Sequence, residues 1–263
     1  MEDICTDSAS NLAMKVEYFL SDVSSRQTFN EWRKFNIGLR ELVRKPDIKK
    51  VLEVGGGANP LLSLDEIADY GLQYTVLDIS LEELRKAPDE YKKIQADITD
   101  PDLSLDGEYD LVYSRFLAEH VPSGLHFHRN VLNLLREGGY AFHSFPTLYT
   151  TPFLTNLLLP ENFSETLVLF FQPWRVRNGK DGKFRAYYDW CYGPTRSNMI
   201  RLTDLGYSVE EYTGFFGHHY YNRNRALKIL DLLETLKSNL LVRCPVPLLT
   251  QFAHLLLKKK NIT

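Results

Sequence analysis

The chain has 263 residues, enough for one large domain or for one domain carrying an insertion. A hydrophobic share of 44% and a charged share of 25% are ordinary for a protein with a packed core. The formal net charge of -3 gives no general reason to expect a polyanion partner, so no nucleic acid is expected, although local basic patches are compatible with it.

Cys5, Cys191 and Cys244 are the three cysteines, and none stands in a Cys-x-x-Cys pair. Neither a zinc site nor a redox motif is therefore expected, and no metal. An odd count suits a reducing compartment. The first residues lack the positive and apolar regions of a signal peptide. The greasiest stretch, FLTNLLLPENFSETLVLFFQPW (153–174), is broken by Pro160-Glu161-Asn162. Neither half approaches the ~20 apolar residues of a spanning helix. The expectation is a cytoplasmic protein with no membrane span.

In chain order, residues 9–44 read as helical: in EWRKFNIGLRELV (31–43), Trp32, Phe35, Ile37, Leu39, Leu42 and Val43 fall roughly on one face. Lys45-Pro46-Asp47 ends that segment. Five short apolar runs follow as strands: 50–54, 74–79, 91–98, 109–114 and 139–145. Helical segments at 61–70, 81–87 and 123–136 separate them. This alternation predicts a doubly wound α/β fold with a parallel sheet and right-handed crossovers. The rhythm breaks after Phe145. Residues 201–215 read as a helix, a stop at Gly206 and a closing strand. Residues 224–241 read as an amphipathic helix, and 247–260 as a last strand or helix. The expected organisation is a helical lid (1–48), a core (49–146), a cover insertion (147–200) and a completing segment (201–263).

The first of these strands runs into VLEVGGGANP (51–60). Ligands of open α/β sheets bind beyond the carboxyl ends of the strands. Gly55, Gly56 and Gly57 allow unusual backbone angles and close approach of a ligand there, or form a plain tight turn. Asp78 ends the second strand, where an acid can accept ribose hydroxyls or begin the next helix. Asp97 ends the third, where it can meet an adenine amine or turn the chain before Pro101. A dinucleotide fingerprint would need Gly or Ala where Pro60 stands, and no P-loop Lys-Ser or Lys-Thr follows.

On Glu53-x-Gly55-x-Gly57-x-Asn59-Pro60, Asp78-Ile79, Ala96-Asp97-Ile98, YDLVYSRFLAEHV (109–121) and LREGGYAFHSFP (135–146), the sequence resembles the class I S-adenosylmethionine (SAM)-dependent methyltransferases. The resemblance implies a Rossmann-like sheet of seven strands whose last strand is antiparallel, with SAM as cofactor. It implies that Gly55 and Gly57 pass close to the amino-acid end of SAM and that Glu53 helps bind its ammonium. Asp78 would hold the ribose, Ile79 would pack on adenine, Asp97 would take the adenine amine with Ile98 beside it, and Ser114 and Arg115 would close the site. Asn59-Pro60 departs from the usual small residues; Pro60 is expected to open the next helix at its first position.

Methyl transfer needs an acceptor held in line with the sulfonium, and an oxygen acceptor also needs a base, for which His is the common choice. His126, His128 and His254 read as structural residues on helices. His120 in AEHV stands near the tip of the fourth strand, where it either caps or catalyses. His143 on the fifth strand faces either the site or the core. GFFGHHYYNR (214–223) places His218 and His219 between aromatics, as candidate base or substrate partner. The aromatic and basic block 170–196 is the expected substrate cover, with Trp174, Arg185, Tyr188 and Tyr192, and Tyr220 beyond it, as candidate substrate contacts; Asn178-Gly179-Lys180-Asp181-Gly182 reads as a hairpin turn.

The expected function is O-methylation of a small molecule, in a natural-product or sugar tailoring context, with N-methylation second. A NAD-dependent oxidoreductase is disfavoured by Pro60 and by the lack of a Tyr-x-x-x-Lys pair after the fourth strand. A SAM-binding protein without catalysis is the other alternative.

Overall fold

The computed structural model describes residues 15–21, 30–149, 185–217 and 228–261. Its elements are β1 (Lys15–Leu20), α1 (Asn30–Val43), β2 (Lys50–Val54), α2 (Leu64–Tyr70), β3 (Gln73–Asp78), α3 (Leu81–Lys86), β4 (Lys92–Gln95) and β5 (Tyr109–Arg115). After a 3-10 turn at Ala118–His120 come α4 (Gly124–Leu134), β6 (Leu135–Pro146), α5 (Arg196–Leu205), β7 (Tyr207–Phe216), α6 (Lys228–Arg243) and β8 (Phe252–Lys259). They form an eight-stranded sheet in the order β1-β7-β8-β6-β5-β2-β3-β4. Strands β2 to β6 pair in parallel, and β8 runs antiparallel to both β6 and β7. The expected α/β sheet with an antiparallel last strand is present.

The side-chain period of two sorts each central strand between two cores. Leu52, Val54, Tyr109 and Val112 face the core built with Phe127, Val131 and Leu202 of α4 and α5. Val51, Val76, Leu111 and Tyr113 face the other, built with Phe35, Leu39 and Leu42 of α1. Phe35 stacks on Phe142 with ring centroids 4.5 Å apart. At the amino end of β5, Asp110 accepts the Lys49 and Lys50 amides, both at 2.7 Å, and the Arg136 guanidinium. That carboxylate pins the start of β2 to β5.

Local signals set the helix ends. Ser63 and Glu66 form a reciprocal capping box at the start of α2, and Gly71 ends it in the left-handed conformation. Ser80, Ser123 and Thr195 cap α3, α4 and α5.

Three expectations are corrected. The segment 9–44 is not helical throughout: Lys15–Leu20 form a strand that pairs in parallel with β7, which adds an eighth strand to the seven expected. Pro60 does not open a helix; α2 begins at Leu64 behind its Ser63 cap. His254 lies on β8 and not on a helix, with its ring buried against Phe35 and Phe215. The reading of 247–260 resolves to a 3-10 turn at Pro247–Leu249 followed by the strand Phe252–Lys259.

Candidate active site

The parallel strands β2 to β5 end on one edge of the sheet, and the bend after β2 stands at its centre. Gly55 and Gly57 have φ of 78° and 44°, in the region that favours glycine. The bend is tied down by the Gly55 amide donating to the Leu77 carbonyl at 2.7 Å. A Cβ on Gly55 would lie 2.9 Å from Leu117 Cδ1, and one on Gly56 would lie 2.8 Å from Val76 Cγ1. One on Gly57 would lie 3.0 Å from Asp78 Oδ2. The missing side chains therefore make room for the protein's own neighbours. Asn59 is exposed at the end of the bend.

Glu53 sits beneath the bend. Its carboxylate accepts the Leu61 amide at 3.0 Å and the Tyr74 hydroxyl, which in turn contacts the Tyr113 hydroxyl. Burial raises its pKa, and the Tyr74 and Leu61 hydrogen bonds oppose that rise. Glu53 is thus a support of the loop from below.

Asp78 stands at the tip of β3. Its Oδ1 accepts the Ser80 amide at 2.8 Å, and the Gly57 amide also donates to the carboxylate. Partial burial lifts its pKa, with the nearby Glu83 adding to the rise. Ile79 beside it is 64% exposed, an apolar surface held in solvent next to an acid. Beyond β4, Asp97 Oδ1 accepts both the amide and the hydroxyl of Thr99, at 2.8 and 2.7 Å. Ile98 is buried in the core, and its carbonyl accepts Asn130 Nδ2 at 2.8 Å.

After β5 the chain turns sharply, with Phe116 at a φ of 52°. A left-handed phenylalanine is an uncommon, strained conformation. Arg115 turns toward α1, its guanidinium carbon 5.1 Å from the Trp32 ring centroid. The Ser114 hydroxyl turns the other way, into the core, to Nδ1 of His143 at 2.8 Å. His143 is fully enclosed, packed on Phe127 and His128, and burial holds it neutral. Its ring reaches no surface, so the expectation of a catalytic His143 is corrected to a core histidine, and the Ser114 hydroxyl is spent on it.

His120 has a different setting. It closes the 3-10 turn just past the tip of β5 and remains partly open. Its Nδ1 lies 2.8 Å from the Arg185 carbonyl, an acceptor only, so Nδ1 carries the proton and Nε2 is the basic nitrogen. Glu119 beside it is 4% exposed, its Oε2 has no hydrogen-bond partner, and burial raises its pKa to about 8. The sequence reading passed over Glu119; the signal was an acid next to a histidine directly after a strand tip.

The carbonyl of Glu119 receives the Tyr187 and Tyr188 amides. Tyr188 and Trp190 both have positive φ, and Tyr188 is buried in the core, which corrects its expected place on the acceptor. Arg185 is exposed and stacks over Tyr187, while Tyr192 is half-buried between Tyr149 and Arg201. The candidates Trp174, His218, His219 and Tyr220, and the turn at 178–182, lie outside the described residues. Among the described residues no group of acids, histidines and cysteines could hold a metal, and no helix is long and apolar enough to cross a membrane.

The arrangement suits a nucleoside carrying an amino acid: acids at the tip of β3 and beyond β4, an exposed Ile79, a glycine bend after β2, and a guanidinium at the tip of the neighbouring β5. Asp78, Ile79 and Asp97 could hold adenosine, and the bend with Arg115 the remainder. The chain is also similar in fold to solved methyltransferases. Phosphoethanolamine N-methyltransferase 2 from Haemonchus contortus, solved in complex with S-adenosyl-L-methionine, is 12% identical with a TM-score of 0.52. The match covers 88% of this chain and 53%, about half, of that one. A SAM-dependent methyltransferase from Clostridium acetobutylicum is 13% identical over 90% of this chain and 94% of that one, with a TM-score of 0.51. Another from Methanosarcina mazei is 14% identical over 83% and 96%, with a TM-score of 0.52. No curated protein matches the chain by sequence. A family model described as a methyltransferase domain does match, over residues 25–212. Since that match runs from ahead of α1 into β7, the chain belongs to the methyltransferase-domain family, and it is a class I SAM-dependent methyltransferase.

Proposed function

We propose that the enzyme methylates a hydroxyl of a small molecule, with His120 as the base. SAM supplies an activated methyl on a sulfonium, so the chain's own task is to align the acceptor and remove its proton. In this reading Asp78 holds the ribose, Ile79 packs on adenine, and Asp97 takes the adenine amine. The observation that supports the reading is the Arg185 carbonyl on His120 Nδ1, which sets the tautomer in which Nε2 is the basic nitrogen. A neutral amine acceptor needs less help from a base. The N-directed reading draws on the Haemonchus contortus neighbour, whose name gives it an amine acceptor.

Incubation with SAM labelled in the methyl group, against panels of small hydroxyl and amine compounds, tests this. Transfer to a hydroxyl that falls at least tenfold in His120→Ala supports the O-directed reading. Transfer only to amines, with His120→Ala fully active, overturns it in favour of the N-directed one. Tight binding of SAM with no transfer to any acceptor would leave the non-catalytic binder.

A further inference from the structure

Trp32 lies in the first turn of α1, and its Nε1 is closed off from solvent without an acceptor. A buried donor left unpaired costs about 1–3 kcal/mol, and nearly all buried donors in folded proteins are paired. The Arg115 guanidinium stacks on the same ring at 5.1 Å, and the Phe116 ring stands 6.4 Å away. An unpaired indole N–H on a ring that also carries a guanidinium on its face suits an anion.

The sheet order says which anion. Asp78 and Asp97 stand at the tips of β3 and β4, and Arg115 stands at the tip of β5, on the far side of the glycine bend. A ligand whose adenosine lies over β3 and β4 must extend its other end over β2 and β5. Glu53 already receives the Leu61 amide and the Tyr74 hydroxyl, and it feels the Arg115 charge only through space.

We propose that the Trp32 indole N–H and the Arg115 guanidinium together hold the α-carboxylate of SAM. This rests on the cofactor reading given above. It gives α1 a share of the cofactor site, which the strand tips alone do not complete. It also gives a reason for the sharp turn at Phe116, which directs the chain away from β5 directly after Arg115.

Calorimetric titration with SAM and with decarboxylated SAM, which lacks only that carboxylate, tests the assignment without any acceptor. The wild type should prefer SAM by about tenfold or more. Trp32→Phe, which keeps a ring but removes the donor, and Arg115→Gln should each weaken SAM about tenfold and leave decarboxylated SAM within twofold. Equal affinity of the wild type for both ligands overturns the proposal. So does an equal loss of both ligands in the two variants, which would make Trp32 and Arg115 packing residues. If Trp32→Phe does not fold, Arg115→Gln decides alone. A wild type that binds neither ligand removes the cofactor reading itself, and the proposal with it.

Discussion

Glu119 Oε1 lies 3.7 Å from Nε2 of His120, so a buried acid and a half-open histidine share one short turn at the tip of β5. The burial that raises the Glu119 pKa to about 8 makes its ionised form costly in the folded state. In the unfolded chain the same carboxyl ionises near its ordinary value of 4.5. The stability this group contributes is full below about pH 4.5 and is lost as pH rises through 8. Glu119→Gln, which cannot ionise, is expected to raise stability by up to about 3 kcal/mol at pH 7 to 8 and by less than about 1 kcal/mol at pH 5. Urea unfolding at the two pH values checks this; a gain that does not depend on pH would refute it.

Three buried histidines act at the opposite end of the pH range. Burial lowers His128 and His254 to about 3 and His143 well below its ordinary value, with Lys34 near His254 and His128 near His143 adding to the effect. Their neutral forms are favoured in the fold, so stability is intact above about pH 6.5 and falls as pH drops through the window from 6.5 to 3. One unit below 6.5, His128 and His254 alone are expected to cost about 3 kcal/mol, with His143 acting in the same direction. Unfolding midpoints in urea at pH 7.5 and 5.5 measure it, and equal midpoints would contradict the enclosure of these rings.

Asp110 receives two backbone amides and a guanidinium. Burial alone would raise its pKa, but the Lys50 amide, Arg136 and the Lys49 amide together bring it below the ordinary value. Its stabilisation is present at neutral pH and fades as pH falls through that lowered pKa. Asp110→Ala leaves two amides without their acceptor and is expected to cost about 2–3 kcal/mol at pH 7. Thermal and urea unfolding would show it, and a loss below about 0.5 kcal/mol would count against the clamp.

Gly55 and Leu117 are coupled by contact. Gly55→Ala should lose about 2 kcal/mol, part from its positive φ and part from Leu117 Cδ1 at 2.9 Å. In a double-mutant cycle with Leu117→Ala, the combined loss should be smaller than the sum of the single losses. Strict additivity would show that only the backbone angle demands glycine there.

Asp78→Ala is expected to weaken SAM binding by about 1–3 kcal/mol, and also to lower stability by about 1 kcal/mol because the Ser80 and Gly57 amides lose their acceptor. Calorimetry reads the affinity, and an unaltered affinity would remove Asp78 from the ribose.

Much of the sheet could be read from the chain because each parallel strand is a short apolar run between helical segments, and Gly206 marks its turn directly. The strand β1 could not. Lys15–Leu20 owe their extended form to pairing with Glu211–Phe216, far along the sequence, and nothing local announces that partner. The site divided in the same way. The positions of Asp78 and Asp97, at and just past strand ends, were legible because strand ends are legible. The enclosure of His143 and Glu119 and the unpaired Trp32 indole depend on what packs around them, which no spacing reveals. The glycine run was noticed for its shape, but Leu117 and Val76 supply part of its cause, and both are brought there by the fold.

The antiparallel β8 follows the other seven strands in the chain, yet it sits between β6 and β7. During synthesis the five parallel strands can assemble while β7, with β1 beside it, still lacks a seat on the sheet. Only when the ribosome releases Phe252–Lys259 can that pair dock. A nascent chain stalled before β8 would therefore show two unpaired edges, β6 and β7, and would be a ready client for chaperones.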